Sequence, residues 1–237
     1  MGTDLKGVLE FCEKEKLYLG EGTPTAQILF VGKECGWNES ILSPDEKGNI
    51  ELQAQRSAEH NINCWKNGDG CLGKLKADAL EFWANSPTWR NYQKLVQQII
   101  GKEIPKYDFL DYSFITELSQ ISLPNSNHLK NNDLTSASVE KRKALFEQDF
   151  FQNFPIVIMA CGHYPKDFGF DIEKIFDVQW TGKIEGVEGN YYNVHHGKTK
   201  NGKDKILVHT RQVSNGVSNE LLSKIAEICK EFYNPKN

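Results

Sequence analysis

The chain has no surplus of positive charge, no pair of cysteines spaced C-x-x-C and no apolar window long enough to cross a bilayer. Each absence removes a class of function. With 28 basic against 32 acidic side chains the net charge is −4, so a broad electrostatic grip on nucleic acid is excluded and only a local basic groove stays open. The six cysteines (Cys12, Cys35, Cys64, Cys71, Cys161 and Cys229) are scattered. That scatter excludes the usual iron–sulfur and zinc-ribbon spacings and, without a secretory leader pattern, predicts reduced thiols. A membrane helix needs about 18 or more apolar residues in a row, and no stretch approaches this. The expectation is a soluble, cytoplasmic monomer without membrane contact.

What is present is enough apolar material for one sizeable domain: 39% of 237 residues are hydrophobic, and residues 1–237 read as a single unit. The chain is organised around Ala26 to Asn38. Ile28, Leu29, Phe30 and Val31 form an unbroken apolar run, as in a strand covered on both faces. The run stops at Gly32-Lys33-Glu34-Cys35-Gly36-Trp37-Asn38. Gly32 and Gly36 permit φ > 0 and a close backbone approach, so the loop suits a ligand or, more plainly, a tight turn into a helix.

Leu5, Val8, Leu9 and Cys12 recur at helical spacing, which predicts a first helix ending before Gly20. Residues 39–73 read as an irregular insert, with Ser43-Pro44, Lys47-Gly48 and Asn67-Gly68 as turn signals. His60, Cys64 and Cys71 lie in it, but they are three, not four, at an unfamiliar spacing, so no metal and no cofactor is expected. Ser86-Pro87 starts a helix, with Ser86 as N-cap and Gly101 as its stop, and Trp89 and Tyr92 are read as core.

Tyr107–Ser119 reads as a second strand carrying Thr116 and Glu117 near its end, followed by a polar loop at Pro124–Asn127 and a helix from about Ser138. Pro155–Gly162 is another unbroken apolar run, with His163, Tyr164 and Pro165 in its exit loop. Tyr191–Thr199 and Lys203–His209 form a hairpin around Asn201-Gly202, and a last helix buries Val217, Leu221, Leu222, Ile225 and Ile228. This succession predicts an α/β fold: a three-layer α/β/α sandwich on a central, mostly parallel four-stranded sheet. Right-handed crossovers then put the loops after Val31, Leu118, Cys161 and Val208 on one edge, where such sheets bind ligands.

The layout resembles the uracil-DNA glycosylase superfamily across roughly residues 26–230. Gly32-Lys33-Glu34-Cys35-Gly36 is similar to that family's Gly-rich water-activating loop, and Phe114-Ile115-Thr116-Glu117-Leu118 to its I-T-N-type strand. Ala160-Cys161-Gly162 matches a strand ending in Ala-x-Gly, and His209-Thr210-Arg211-Gln212-Val213-Ser214 stands where the family has a His-Pro-Ser-type loop. The departures are that Cys35 and Thr210 stand where the family has prolines, and Glu117 where several branches have an Asn that reads the base.

The resemblance implies hydrolysis of the N-glycosidic bond of a uracil-type or otherwise damaged base in DNA, with a flipped base as ligand. It makes His209 the donor that stabilises the departing base oxyanion, where a core or surface histidine is the plain alternative. Glu34 orients water or stabilises the cationic sugar, or is an exposed loop carboxylate. Gly32, Lys33, Cys35, Gly36, Trp37, Asn38, Glu117, His163 and Thr210 become candidate substrate contacts, with Lys33 suited to a phosphate and Trp37 or Trp65 to base stacking. Arg211, Gln212 and Val213 form the segment that can wedge into the minor groove. A catalytically altered member that binds nucleic acid or a nucleobase without cleavage, or a small-molecule enzyme on the same fold, fits the same residues.

Overall fold

The computed structural model describes residues 3–34, 49–68, 86–106, 108–122, 133–187 and 190–234. Its strands are β1 (Glu21–Gly22), β2 (Ile28–Glu34), β3 (Ser113–Ser119), β4 (Ile156–Ala160), β5 (Val178–Val187), β6 (Asn190–Lys198) and β7 (Asp204–Thr210). They form one sheet in the order β1-β3-β2-β4-β7-β6-β5. The fold is therefore α/β with a mixed sheet of seven strands, a correction to the four expected. The four central strands, β3, β2, β4 and β7, are mutually parallel, and β1, β6 and β5 join antiparallel.

The apolar runs make the centre. Every residue of β4 is buried, as are Ile28 to Gly32 of β2, and alternate side chains feed two separate cores. Leu29, Val31, Val157, Met159 and Leu207 join one cluster with the first helix, Thr3–Glu15, and the helix Asp133–Phe146. Ile28, Phe30, Ile156, Ile158, Ile206 and Val208 join the other, with the helices Pro87–Ile100 and Asn219–Lys230. Helices thus cover both faces. Because the central strands are parallel, their carboxyl ends share one edge, and the loops after β2, β3, β4 and β7 leave from it. Among the described residues no helix is long and apolar enough to cross a membrane.

Local chemistry explains the helix boundaries. Ser86 Oγ accepts from Trp89 N–H, Pro87 opens the helix, and Gly101 closes it at φ 67°. Tyr92 stacks on Phe30 at 4.1 Å between ring centroids and is core, as expected.

The supposedly irregular insert contains a 17-residue helix, Ile50–Lys66, capped by Asn49. Its inner face is Ala54, Ala58, Ile62 and Trp65 together with buried Gln53 and Asn61, so polar residues mask the periodicity. Asn61 and Trp65 have partners in the chain ahead of β1. Asn61 accepts from Leu19 N–H and donates to Gly20 O, and Trp65 Nε1–H donates to the same carbonyl at 2.8 Å.

Two further boundaries move. The second strand starts at Ser113, after a 3-10 turn at Asp108–Asp111, and the next helix starts at Asp133. Pro124–Asn127 lies outside the described residues. Strand β5 carries no signal in the sequence, because Thr181, Gly182, Lys183, Glu185 and Gly186 leave it no apolar alternation. It is an edge strand with a register shift between Trp180 and Ile184.

One buried cation ties the elements behind the sheet edge. Arg142, fully buried on the helix Asp133–Phe146, donates from Nε to Glu117 O at 2.7 Å, from one terminal nitrogen to Tyr18 O at 2.6 Å and from the other to Thr116 Oγ1 at 2.7 Å. Replacing it by leucine leaves three acceptors without these donors. We expect Arg142→Leu to lower unfolding free energy by about 3 kcal/mol or more, since each charge-assisted bond is worth roughly 1.5–3 kcal/mol. Urea denaturation of the two proteins measures it.

Candidate functional site

The carboxyl edge of the parallel strands brings together Gly32, Lys33 and Glu34 from β2, Glu117 from β3, the turn Cys161-Gly162-His163 after β4, and His209 and Thr210 from β7. Cys35, Gly36, Trp37 and Asn38 lie outside the described residues.

The β2–β3 half is a carboxyl pair. Gly32 pairs with Glu117 in parallel register, and a Cβ on Gly32 would fall 2.0 Å from Glu117 Oε2. The glycine leaves room for this carboxyl and is not needed for a left-handed backbone, since Gly32 is not among the residues at positive φ. Glu117 thus lies flat against the β2 backbone. Burial pushes its carboxyl well above the ordinary range and Glu34 pushes it further, with Arg142 opposing and Glu21 adding to the rise. Glu34 is raised in the same way, first by burial, against the lowering influence of Tyr164 and Lys33. Glu21, on β1, is pushed up to about 7 by burial.

Three polar atoms are sealed here without a hydrogen-bond partner among the described residues: Glu34 Oε2, Glu117 Oε2 and Tyr164 Oη. The Tyr164 hydroxyl is near enough to Glu34 to favour its ionised form, yet no bond of normal geometry joins them. Sealed, unmatched polar atoms are rare, and several in one place mark a position where a polar ligand or water completes the set. Lys33 lies over the Tyr164 ring, 5.0 Å from Nζ to the centroid.

The β4–β7 half is built on Gly162, at φ 59°. Its N–H donates to Thr210 O at 2.9 Å, and its carbonyl accepts from His209 Nε2 at 2.7 Å. A carbonyl only accepts, so Nε2 carries the proton and neutral His209 leaves Nδ1 as an acceptor. Burial is the main influence lowering the His209 pKa, with the Gly162 bond opposing and His195 and His163 adding to the fall. The N–H that an oxyanion needs is donated to Gly162 in this structure. Tyr191 stands between the imidazoles, 6.1 Å from His163 with nearly parallel rings and 6.4 Å from His209 edge to face. The halves meet at Lys33, whose Cε lies 3.5 Å from where a Gly162 Cβ would be.

The remaining candidates divide. Thr210 is fully buried and donates to Tyr191 O at 2.7 Å, a structural tie. Arg211 donates to Asn190 Oδ1 at 3.0 Å and to the carbonyls of Gly216 and Asn215, so much of its guanidinium folds its own loop. Gln212 is half-buried. Val213 is fully buried, with Asn91 Nδ2 donating to its carbonyl; its side chain sits in the core and presents no wedge at the surface. Trp65 is likewise core, packed on Phe114, and presents no stacking face. His60 and Cys64 come within 3.6 Å of each other, Cys71 lies outside the described residues, and no metal-holding group exists among those described.

Sequence reasoning missed the parts played by Tyr164, Tyr191 and Arg142. Tyr164 was visible as an exit-loop residue, but nothing in the sequence marks Arg142 as buried. A cleft of about 270 Å³, lined by Asp4, Leu5, Thr25, Phe150 and Phe154, opens ahead of β2 at the opposite edge and holds none of the candidate residues.

The raised Glu117 pKa fixes the sign of a pH effect. Between the ordinary carboxylate pKa and the folded value, the folded chain holds a proton that the unfolded chain has released, so stability falls as pH rises through that window. Glu117→Gln removes this dependence. Its melting temperature relative to wild type should be higher at neutral pH than in mild acid, as scanning calorimetry at the two pH values would read.

Neither a protein-family model nor a curated protein matches the chain.

Proposed function

We propose that the chain is a glycosylase-like hydrolase that cleaves the N-glycosidic bond of a uracil-type or otherwise damaged base in DNA. The observation that carries this reading is the convergence of Glu34, Glu117 and Tyr164, each with a sealed, unmatched polar atom, beside Lys33 and near His209 on the edge where open sheets take ligands. The resemblance of these loops to those of the uracil-DNA glycosylase superfamily supports the same reaction.

Cleavage leaves a cationic sugar and an anionic base. Glu34, with its pKa raised by burial, is a stronger base toward water than a surface carboxylate and, once ionised, faces the developing cation. Lys33 supplies positive charge on the same edge for a phosphate or for the departing base. His209 donates to the base oxygen once its Nε2–H exchanges the Gly162 carbonyl for the ligand. That exchange favours charge present only in the transition state, which is where a donor accelerates the reaction. The net charge of −4 confines DNA contact to a local groove, and extrusion of the base costs a few kcal/mol in a duplex and less at a mispair.

A second reading is favoured by one observation. Because the His209 N–H is already engaged by Gly162, the site can hold a base without assisting its departure, as a binding module.

Single-turnover reactions on oligonucleotides carrying uracil, hypoxanthine or xanthine, single-stranded and mispaired, separate the two. Alkali then reveals abasic sites. We expect abasic product, slowed about a hundredfold to a thousandfold by His209→Ala and comparably by Glu34→Gln, the usual cost of losing one transition-state contact. Product unaffected by either change would remove the mechanism. Salt-sensitive binding with no product on any substrate would select the second reading.

A further inference from the structure

We propose that β5 is a contact between two copies of this chain, whose β5 strands pair antiparallel about a two-fold axis at Ile184 and join two seven-stranded sheets into one. The proposal stands apart from the reading of the carboxyl edge, and it gives a dimer where the sequence predicts a monomer.

The edge is open and carries apolar side chains. β5 ends the sheet and pairs with β6 alone among the described strands. The two large hydrophobic side chains left exposed among the described residues, Trp180 at 43% and Ile184 at 65%, both lie on it. Trp180 is opposite His195 and Ile184 opposite Asn193, so the two share one face of the sheet. Val187 and Asn190 pair across two intervening residues, and such a closing pair exchanges both backbone bonds. Alternation along the ladder then turns the N–H and C=O of Ile184 and Gly186 away from β6.

The segment around Ile184 is its own complement. In antiparallel pairing centred there, Ile184 meets the partner's Ile184, Lys183 meets the partner's Glu185, Glu185 meets the partner's Lys183, and Gly182 meets the partner's Gly186. Lys183 and Glu185 already form an ion pair at 2.6 Å within the strand, and the second copy extends it into a cluster of alternating sign. Opposite charges directly across a ladder are favourable and like charges are not. Exposed edges are commonly guarded by a lysine and a bulge. β5 has both, since its register shifts between Trp180 and Ile184, where Gly182 takes φ 80°. The lysine repels a strand that brings no acid, whereas a second copy brings Glu185 to it.

The bulge keeps the ladder short, so the contact falls below the roughly 1,000 Å² of a lasting interface and forms a weak dimer, with a dissociation constant on the order of 10 to 100 μM. β5 runs parallel to β7, because both pair antiparallel with β6. The carboxyl edges of the two copies therefore face opposite ends of the joined sheet, and both stay open.

Sedimentation velocity of the full chain from about 5 to about 500 μM tests this, a range that brackets the expected constant. We expect wild type to pass from monomer to dimer across the range, less readily at high salt. Lys183→Glu and Glu185→Lys each set like charges across the axis and should weaken the dimer about tenfold or more. Their side chains are 72% and 35% exposed, so the fold should survive both changes, which circular dichroism checks. Mixed in equal amounts, the two single variants are complementary to each other and should dimerise again, as should the chain carrying both changes. Three results would each overturn the proposal: wild type monomeric throughout, which leaves the edge to a strand of another protein; a dimer undiminished in the single variants; or a mixture no more associated than its components.

Discussion

A buried guanidinium holds the carboxyl end of β3 in place. Arg142 is buried away from the surface, and the chain sets oxygens around it, among them the Glu117 and Tyr18 carbonyls and the Thr116 hydroxyl. Those bonds join the segment after the first helix, the third strand and the helix Asp133–Phe146 at one point. They also set a fixed positive charge behind Glu117, on the backbone side. The carboxyl therefore sits in a field with opposed signs, positive behind it and negative beside it from Glu34 and Glu21. Its protonation is a property of the fold as much as of the residue.

How much of this can be read from residues depends on which force places them. β2 and β4 are legible because hydrophobic burial on both faces writes an unbroken apolar run. The helix Pro87–Ile100 is legible because its cap, its proline and its terminal glycine are all local chemistry. The helix Ile50–Lys66 is hidden because Gln53 and Asn61 face inward, and Asn61 does so only because Leu19 and Gly20, some forty residues away, need partners. Strand β5 is hidden because an edge strand has little to bury. For the candidate site, the loops and their common edge were visible, since parallel strands force that arrangement. The orientation of His209 was not, because it is set by the Gly162 carbonyl across a different strand, and long-range hydrogen bonds leave no trace in spacing.

The two halves of the edge are held by different means. The β4–β7 half is a closed hydrogen-bond circuit in which Gly162 uses both backbone groups on β7 and Thr210 is tied to Tyr191. The β2–β3 half is packed instead of bonded, with buried carboxyls set among neighbouring charges. A bonded circuit resists change in position, whereas packed carboxyls resist change in protonation. Lys33 stands at the seam, with its stem near Gly162 and its ammonium over Tyr164, where movement in one half reaches the other.

The contact between Gly32 and Glu117 also bears on how this chain can diverge. A side chain at position 32 requires that the Glu117 carboxyl swing aside or that the residue at 117 become shorter. Shortening at 117 opens a hole over the β2 backbone that a side chain at 32 can then fill. Two positions 85 apart in the chain therefore share one volume, and a substitution at either changes what the other can hold.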